Sequence, residues 1–275
     1  MAGWLNWMRR DRTTIPMVRL SGAIGMAMPF RPGLSVQSVE TPLTKAFAMK
    51  GPAVAIVINS PGGAAAQSHL IHKRIRQLAE EKKKHVIVAV EDVAASGGYM
   101  IACAGDEIIA DPGSIVGSIG VISASFGFQD LIQKIGVERR VHTAGRSKSM
   151  LDPFRPEKAE DVARLRELQD EVHGAFIDLV KSRRGAALKD DPDLFTGAFW
   201  SGAKAKELGL VDRLGDLHAV LRERYGEKVE VKPVAAERGF LRRRLGLGAG
   251  VSLADLPGAT VAAIEERLLW SRFGL

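Results

Sequence analysis

The sequence predicts an α/β fold in which helices pack on a mostly parallel sheet. Three observations carry that expectation. Val54–Ile58 and His85–Val90 are continuous apolar, β-branched runs, the pattern of strands buried on both faces. Between them, Gln67–Lys84 repeats apolar residues at helical spacing and ends in lysines, as the helix dipole favours. A third apolar run, Glu107–Ala110, comes after a short apolar helix opened by Ser96-Gly97-Gly98. Strand, helix, strand, helix, strand argues for parallel pairing through right-handed crossovers.

The remaining elements are read in chain order. Met17–Ser21 alternates and stops at Gly22, predicting a short strand, and Phe30–Ser38, with Pro32, Gly33 and two serines, reads as a loop. Gly113–Gly120 is a glycine/serine loop leading into the apolar Ile119–Ile122. Asp130–Ile135 reads as helix and Val137–His142 as strand. Pro156–Arg183 is the longest predicted helix, with Val162, Leu165, Leu168, Val172, Phe176 and Leu179 at three- and four-residue steps. Shorter helices are expected at Ser201–Leu208 and Asp216–Tyr225, and a strand at Lys228–Val231. Gly239–Gly250, with three consecutive arginines, looks like a linker, and Ala259–Phe273 like an amphipathic helix. The expected organisation is an N-terminal amphipathic appendage (1–14), a body (15–235), and a basic linker with a C-terminal amphipathic helix (236–275).

Composition narrows the function. A chain of 275 residues, 46% hydrophobic and 26% charged, can bury a core without a metal or disulfide staple. Its one cysteine, Cys103, forms no internal disulfide, which fits a reducing compartment. The net charge of +7 is dispersed and aromatic residues are only 6%, a poor basis for nucleic-acid binding. The apolar runs are strand-length, short of the ~18 residues a membrane span needs. Trp4, Leu5, Trp7 and Met8 beside Arg9 and Arg10 suit either a membrane interface or packing on the body. The location expected is cytoplasmic or peripheral on an inner membrane.

Two turns could carry chemistry. A nucleophilic enzyme needs a side chain on a sharp, exposed turn with backbone N–H groups aimed at the developing oxyanion. The run Ala94-Ala95-Ser96-Gly97-Gly98, from a buried strand into a helix start, has that form, although Ser96 could equally be a helix cap. Asn59-Ser60-Pro61-Gly62-Gly63 ends the preceding strand, so both turns fall on one sheet edge, where ligands gather. Of the six histidines, His69 and His72 are expected on a solvent-facing helix flank. His85 precedes a buried strand, His173 and His218 lie in peripheral helices, and only His142 adjoins loop chemistry. No Ser-His-Asp set emerges, and no cluster has metal-ligand spacing. Lys148, in a loop of small residues, is a candidate base if burial lowers its pKa from the free value of about 10.4, though a solvated lysine is the commoner outcome.

At these residues the sequence resembles the peptidase family of signal peptide peptidase A and SohB. The likeness rests on Val57-Ile58-Asn59-Ser60-Pro61-Gly62-Gly63, Ala94 to Tyr99, Ala110 to Val121, Lys134 to Val137, Ala144 to Ser149, Phe199 to Ala205 and Gly209 to Asp212, in order over 15–235. The resemblance implies a crotonase/ClpP-like fold and a serine endopeptidase without cofactor or metal. It makes Ser96 the nucleophile and Lys148 the general base, within one subunit or between neighbours. The N–H groups of Gly63 and Gly97 would form the oxyanion hole. Ser118 or Ser149 would orient the lysine unless they simply face water. It further implies a homo-oligomer acting on apolar, membrane-derived peptides such as signal-peptide remnants. The chain departs from typical members in showing no transmembrane anchor, which leaves open whether it meets signal peptides in the bilayer; its termini could supply a peripheral membrane contact, or the C-terminal helix could pack on the body or on a neighbouring subunit. Competing readings are a crotonase-like acyl-CoA hydratase or hydrolase, which would need paired glutamates not found after the glycine turns, and a non-catalytic membrane-surface scaffold, which would leave Ser96 and Lys148 idle.

Overall fold

The computed structural model describes residues 12–25, 33–235 and 256–275. Strands β1 (Thr14–Ser21), β2 (Ala53–Ser60) and β3 (His85–Ala95) form its centre. Helix α1 (Val36–Ala48) links the first two and α2 (Ala65–Lys82) the second pair. Then come α3 (Gly97–Ala102), β4 (Glu107–Ala110), β5 (Ile115–Gly117), α4 (Gln129–Lys134) and the long α5 (Ala159–Arg184). The chain continues through β6 (Phe199–Ser201), α6 (Gly202–Glu207), β7 (Arg213–Leu214), α7 (Leu217–Tyr225), β8 (Glu230–Pro233) and α8 (Leu256–Ser271). The expected linker after residue 235 and residues 1–11 of the expected N-terminal appendage lie outside the described residues.

The sheet runs β6-β5-β3-β2-β1-β8, with β4 branching from β3 and β7 pairing with β4. Every pairing is parallel except β5 with β6. The predicted α/β class and parallel sheet are therefore observed. β2 is buried along its whole length, as a continuous β-branched run requires when both faces are covered. On one face Val54, Ile56, Ile58, Val86 and Val88 meet the helices α1, α2 and α3; on the other Ala55, Val57, Ile87 and Ile109 meet α7 through Leu217, Val220 and Leu221.

β3 belongs to two ladders. Ile87–Val90 pairs with β4, whereas Val93–Ala95 pairs with β5. The change occurs at Glu91–Asp92, where the β2–β3 register shifts: Ile58 faces Val90, but Ser60 faces Ala94. A bulge of this kind bends a strand and re-aims its downstream end. Side chains fix the bend. Asn59 Nδ2 donates to Asp92 Oδ2 at 2.6 Å, Asn59 Oδ1 accepts from the Val93 N–H at 3.3 Å, and Ser114 Oγ donates to the Glu91 carbonyl at 2.5 Å.

Four expectations need correction. Phe30–Ser38 does not remain loop to its end, because Ser35 caps α1 in a reciprocal capping box with Ser38. Val137–His142 is irregular, with no neighbouring strand to complete its hydrogen bonds among the described residues. His72 is not on a solvent flank but 8% exposed, turned under α2. The apolar stripe of α5 is only partly used: Phe176 and Val180 are buried, while Leu168 stays 54% exposed.

Candidate active site

The bent end of β3 delivers Ser96 to the start of α3. Ser96 has φ 52° and ψ −122°, a conformation costly for any residue with a Cβ, at about 1–3 kcal/mol. It is held there from both sides. Its N–H donates to the Gly117 carbonyl at 2.8 Å, and its carbonyl accepts from the Met100 N–H at 3.0 Å. Its hydroxyl does not cap the helix, so the alternative role as N-cap is not taken up. Ser96 is partly exposed, while Ala95, Gly97 and Gly98 around it are buried.

The Asn59–Gly63 turn presses against this corner. A Cβ built on Gly62 (φ +103°) would stand 2.8 Å from Ser96 Cβ and 3.1 Å from Gly97 N. One on Gly63 (φ +141°) would stand 2.2 Å from the Ile24 carbonyl oxygen. The glycines thus serve contact as well as conformation. Gly97 and Gly98 are needed for the same reason, since their Cβ atoms would meet Ser68 Oγ at 2.2 Å and the Ser60 carbonyl at 2.6 Å. Ser60 Oγ ties the turn to β1, donating to the Gly22 carbonyl at 2.7 Å. Among the described residues the N–H groups of Gly63 and Gly97 donate to no acceptor. The structure therefore brings Ser96, Gly63 and Gly97 to one corner.

Ser118 lies one residue past Gly117, the strand partner of Ala95, and is buried with φ 53°. Lys148 is elsewhere. It sits in the exposed turn region 144–151, its N–H donating to the Gly145 carbonyl at 3.2 Å, and no hydrogen bond joins it to Ser96. Ser149 beside it is half-buried. Both belong to an arm, residues 121–158, that exposes Ile122, Phe126, Leu131, Ile135 and Val137. Within the arm, Phe128 packs on Phe154 and Arg139 stacks over Phe154.

Behind Ser96, α3 is bolted to a distant turn. The fully buried Tyr99 hydroxyl donates to the Leu210 carbonyl at 2.8 Å. Asp212 of the same turn accepts from the Ile108 N–H at 2.7 Å and from both terminal nitrogens of the buried Arg184. Burial, the largest influence, disfavours the Arg184 cation, but its hydrogen bonding with Asp212 and the charge interactions with Tyr99, Asp212 and Cys103 together outweigh it, so its pKa stands above the usual arginine value. Burial pushes the Cys103 thiol up to about 12, which leaves it protonated and a poor nucleophile. Tyr99 and Asp212 end the Ala94–Tyr99 and Gly209–Asp212 motifs, whereas nothing in the sequence pattern singles out Arg184.

Among the described residues no group of three or more His, Cys, Asp or Glu side chains could hold a metal ion. Nor is any helix there long and apolar enough to cross a membrane.

Comparison with known proteins bears on this corner directly. The model of peptidase family S49 matches residues 78–232, a span that includes Ser96 and Lys148. The chain belongs to peptidase family S49. A Synechocystis relative named as a protease is 31% identical over 271 residues, covering 96% of this chain and 93% of its own. The chloroplastic serine protease SPPA of Arabidopsis thaliana is 31% identical over 220 residues, covering 78% of this chain and 32% of its own. A Brucella abortus protein named as the Na(+)/H(+) antiporter NhaA is 57% identical over 278 residues, which is 97% of this chain but only 38% of that protein. This S49 chain thus spans well under half the length of that relative.

Proposed function

We propose that the chain is a serine endopeptidase in which Ser96 attacks the peptide carbonyl and Lys148 acts as general base. The observation that carries the reading is the corner itself. A strained serine with an uncommitted hydroxyl stands beside two N–H groups, of Gly63 and Gly97, that have no acceptor among the described residues. Membership of S49 and the serine-protease name of a relative support it.

The chemistry is acyl transfer. Lys148, as the neutral amine, takes the Ser96 proton while Oγ bonds to the carbonyl carbon. The two N–H donors receive the oxyanion, each worth ~10²–10³ in rate. Protonated Lys148 returns the proton to the leaving amine, and water then releases the acyl group from Ser96. Because Lys148 is exposed in the isolated chain, the dyad assembles when the 121–158 arm docks, on its own body or on a neighbouring copy. The exposed Ile122, Phe126 and Ile135 favour docking, since burying each apolar side chain contributes about 1.5–3 kcal/mol. In this reading Ser118, which follows the strand partner of Ala95, orients the incoming lysine, or Ser149, which travels with it, does so.

The substrates are apolar peptides of membrane origin, such as signal-peptide remnants. Exposed Ile264 and Leu268 beside Arg267 on α8 suit a peripheral membrane contact. We read the antiporter name of the Brucella relative as referring to the part of that protein outside the match.

Purified Ser96→Ala and Lys148→Ala variants test the dyad against the parent. Both should lose peptide hydrolysis and keep the parent circular-dichroism spectrum. Only the parent and Lys148→Ala should retain a serine that a fluorophosphonate can reach, Lys148→Ala slowly. Parent-like turnover by Lys148→Ala removes the lysine from the mechanism.

A further inference from the structure

The outer face of the small sheet beside Ser96 is apolar, and the C-terminal helix completes it. Val93, Ala95 and Ile115 cluster there with Trp270 and Phe273. Phe199, on the edge strand β6, meets the Phe273 ring edge-on at 5.1 Å between centroids. Gly117 links the parts, pairing with Ala95 on one side and Phe199 on the other. Phe273 is 8% exposed, so it is a support, but Phe199 remains 44% exposed. α8 is fixed along its course as well: Glu266 Oε1 lies 3.6 Å from the position of a Cβ on Gly22, and Trp270 Nε1 donates to the same oxygen at 3.5 Å.

We propose that Phe199, held by Phe273 of α8, is a specificity-determining residue that binds an apolar side chain of the peptide away from the scissile bond. Two strand spacings of about 4.8 Å separate Phe199 from Ala95, the residue before Ser96. At about 3.3 Å per residue of extended peptide, this distance corresponds to a side chain two or three positions from the attacked carbonyl. Leaving a phenylalanine ring open at the sheet edge has a solvation cost that a substrate side chain relieves. Binding energy from such a remote position is available to position the peptide for attack. Phe273 acts through Phe199 and is a positioning residue, and Trp270 packs in the apolar cluster around Phe273. The inference rests on the proposed peptidase activity, and it extends the site to a C-terminal helix outside the residues that the S49 model matches.

The test is a peptide series in a serine/alanine background, with one leucine walked from P4 to P4′. For the parent enzyme, one position two or three residues from the cleaved bond should show a leucine-over-serine preference in kcat/KM of about tenfold or more, the scale of one apolar contact. Phe199→Ser and Phe273→Ala should each bring that ratio towards one, and Phe199→Leu should retain most of it. A purely structural role would lower both peptides equally and keep the ratio. A ratio kept within twofold in Phe199→Ser, or no leucine preference in the parent, overturns the assignment. Failure of the underlying activity looks different: the parent would then cleave no peptide and take up no fluorophosphonate at Ser96, and the peptide subsite would fall with it.

Discussion

Gly62 leaves no room for a side chain beside Ser96: a Cβ on Gly62 would lie 2.8 Å from that of Ser96. The two glycine-rich motifs are thus halves of one surface. Gly62→Ala must push the Gly63 N–H away from the serine or abandon φ +103°. A displacement of an ångström costs about 10² in rate. We expect peptide hydrolysis to fall by about that factor or more, with fluorophosphonate labelling slowed in parallel. A Gly62→Ala enzyme of parental kcat/KM would show that the contact has no bearing on the chemistry.

Asn59 controls the bend that aims Ser96. Its amide is bonded to Asp92 and to the Val93 N–H, three residues before the serine. Asn59→Ala leaves that N–H unpaired in a buried strand, at about 1–3 kcal/mol. Lowered stability in urea and an activity loss larger than the unfolded fraction explains are both expected. Activity that simply tracks the folded fraction would make Asn59 a stability residue alone.

Tyr99→Phe deletes the hydroxyl that joins α3 to Leu210 and leaves a buried carbonyl without its donor. The expected loss is about 1–2 kcal/mol. Equilibrium denaturation measures it, and an unchanged midpoint would mean that water or relaxation replaces the bond.

Acid should weaken the fold through His72. Burial, then the neighbouring Arg183, lowers its pKa from 6.5 to about 4. The folded state therefore holds His72 neutral where the unfolded chain binds a proton. That contribution is complete above pH 6.5 and is lost as pH falls from 6.5 towards 4. Its size is at most about 3 kcal/mol. His72→Gln should flatten the decline in unfolding free energy between about pH 7 and pH 4.5. An equally steep decline in the variant would assign the acid sensitivity to other groups.

The sequence is most readable where one physical cause dominates. β2 and β3 are buried on both faces, so their composition alone marks them. The lysine-ended α2 and the cap of α7 at Asp216 are equally plain. β5, β6 and β7 are two or three residues long and are set by partners distant in sequence, β5 by the bent end of β3, β6 by β5 and β7 by β4, which no local pattern records. α1 is hidden by Pro42 within it and by the serines that cap it. At the candidate site, Ser96 and the glycine turns are legible because a sharp turn demands small residues. For Lys148 the sequence marks only a candidate, since whether the lysine reaches Ser96 depends on where an exposed arm comes to rest. His72 misleads because the arginines and lysines of α2 flank it in sequence, while helical spacing turns it inward.

The division of β3 between two ladders has a thermal consequence. Val90 and Val93 are joined by a hydrogen-bonded bend, one holding the main sheet and the other the corner that carries Ser96. The corner cannot loosen without drawing on the same strand that anchors the centre of the molecule. Heat inactivation and global melting should therefore coincide within a degree or so, with no warm intermediate that is inactive yet still compact.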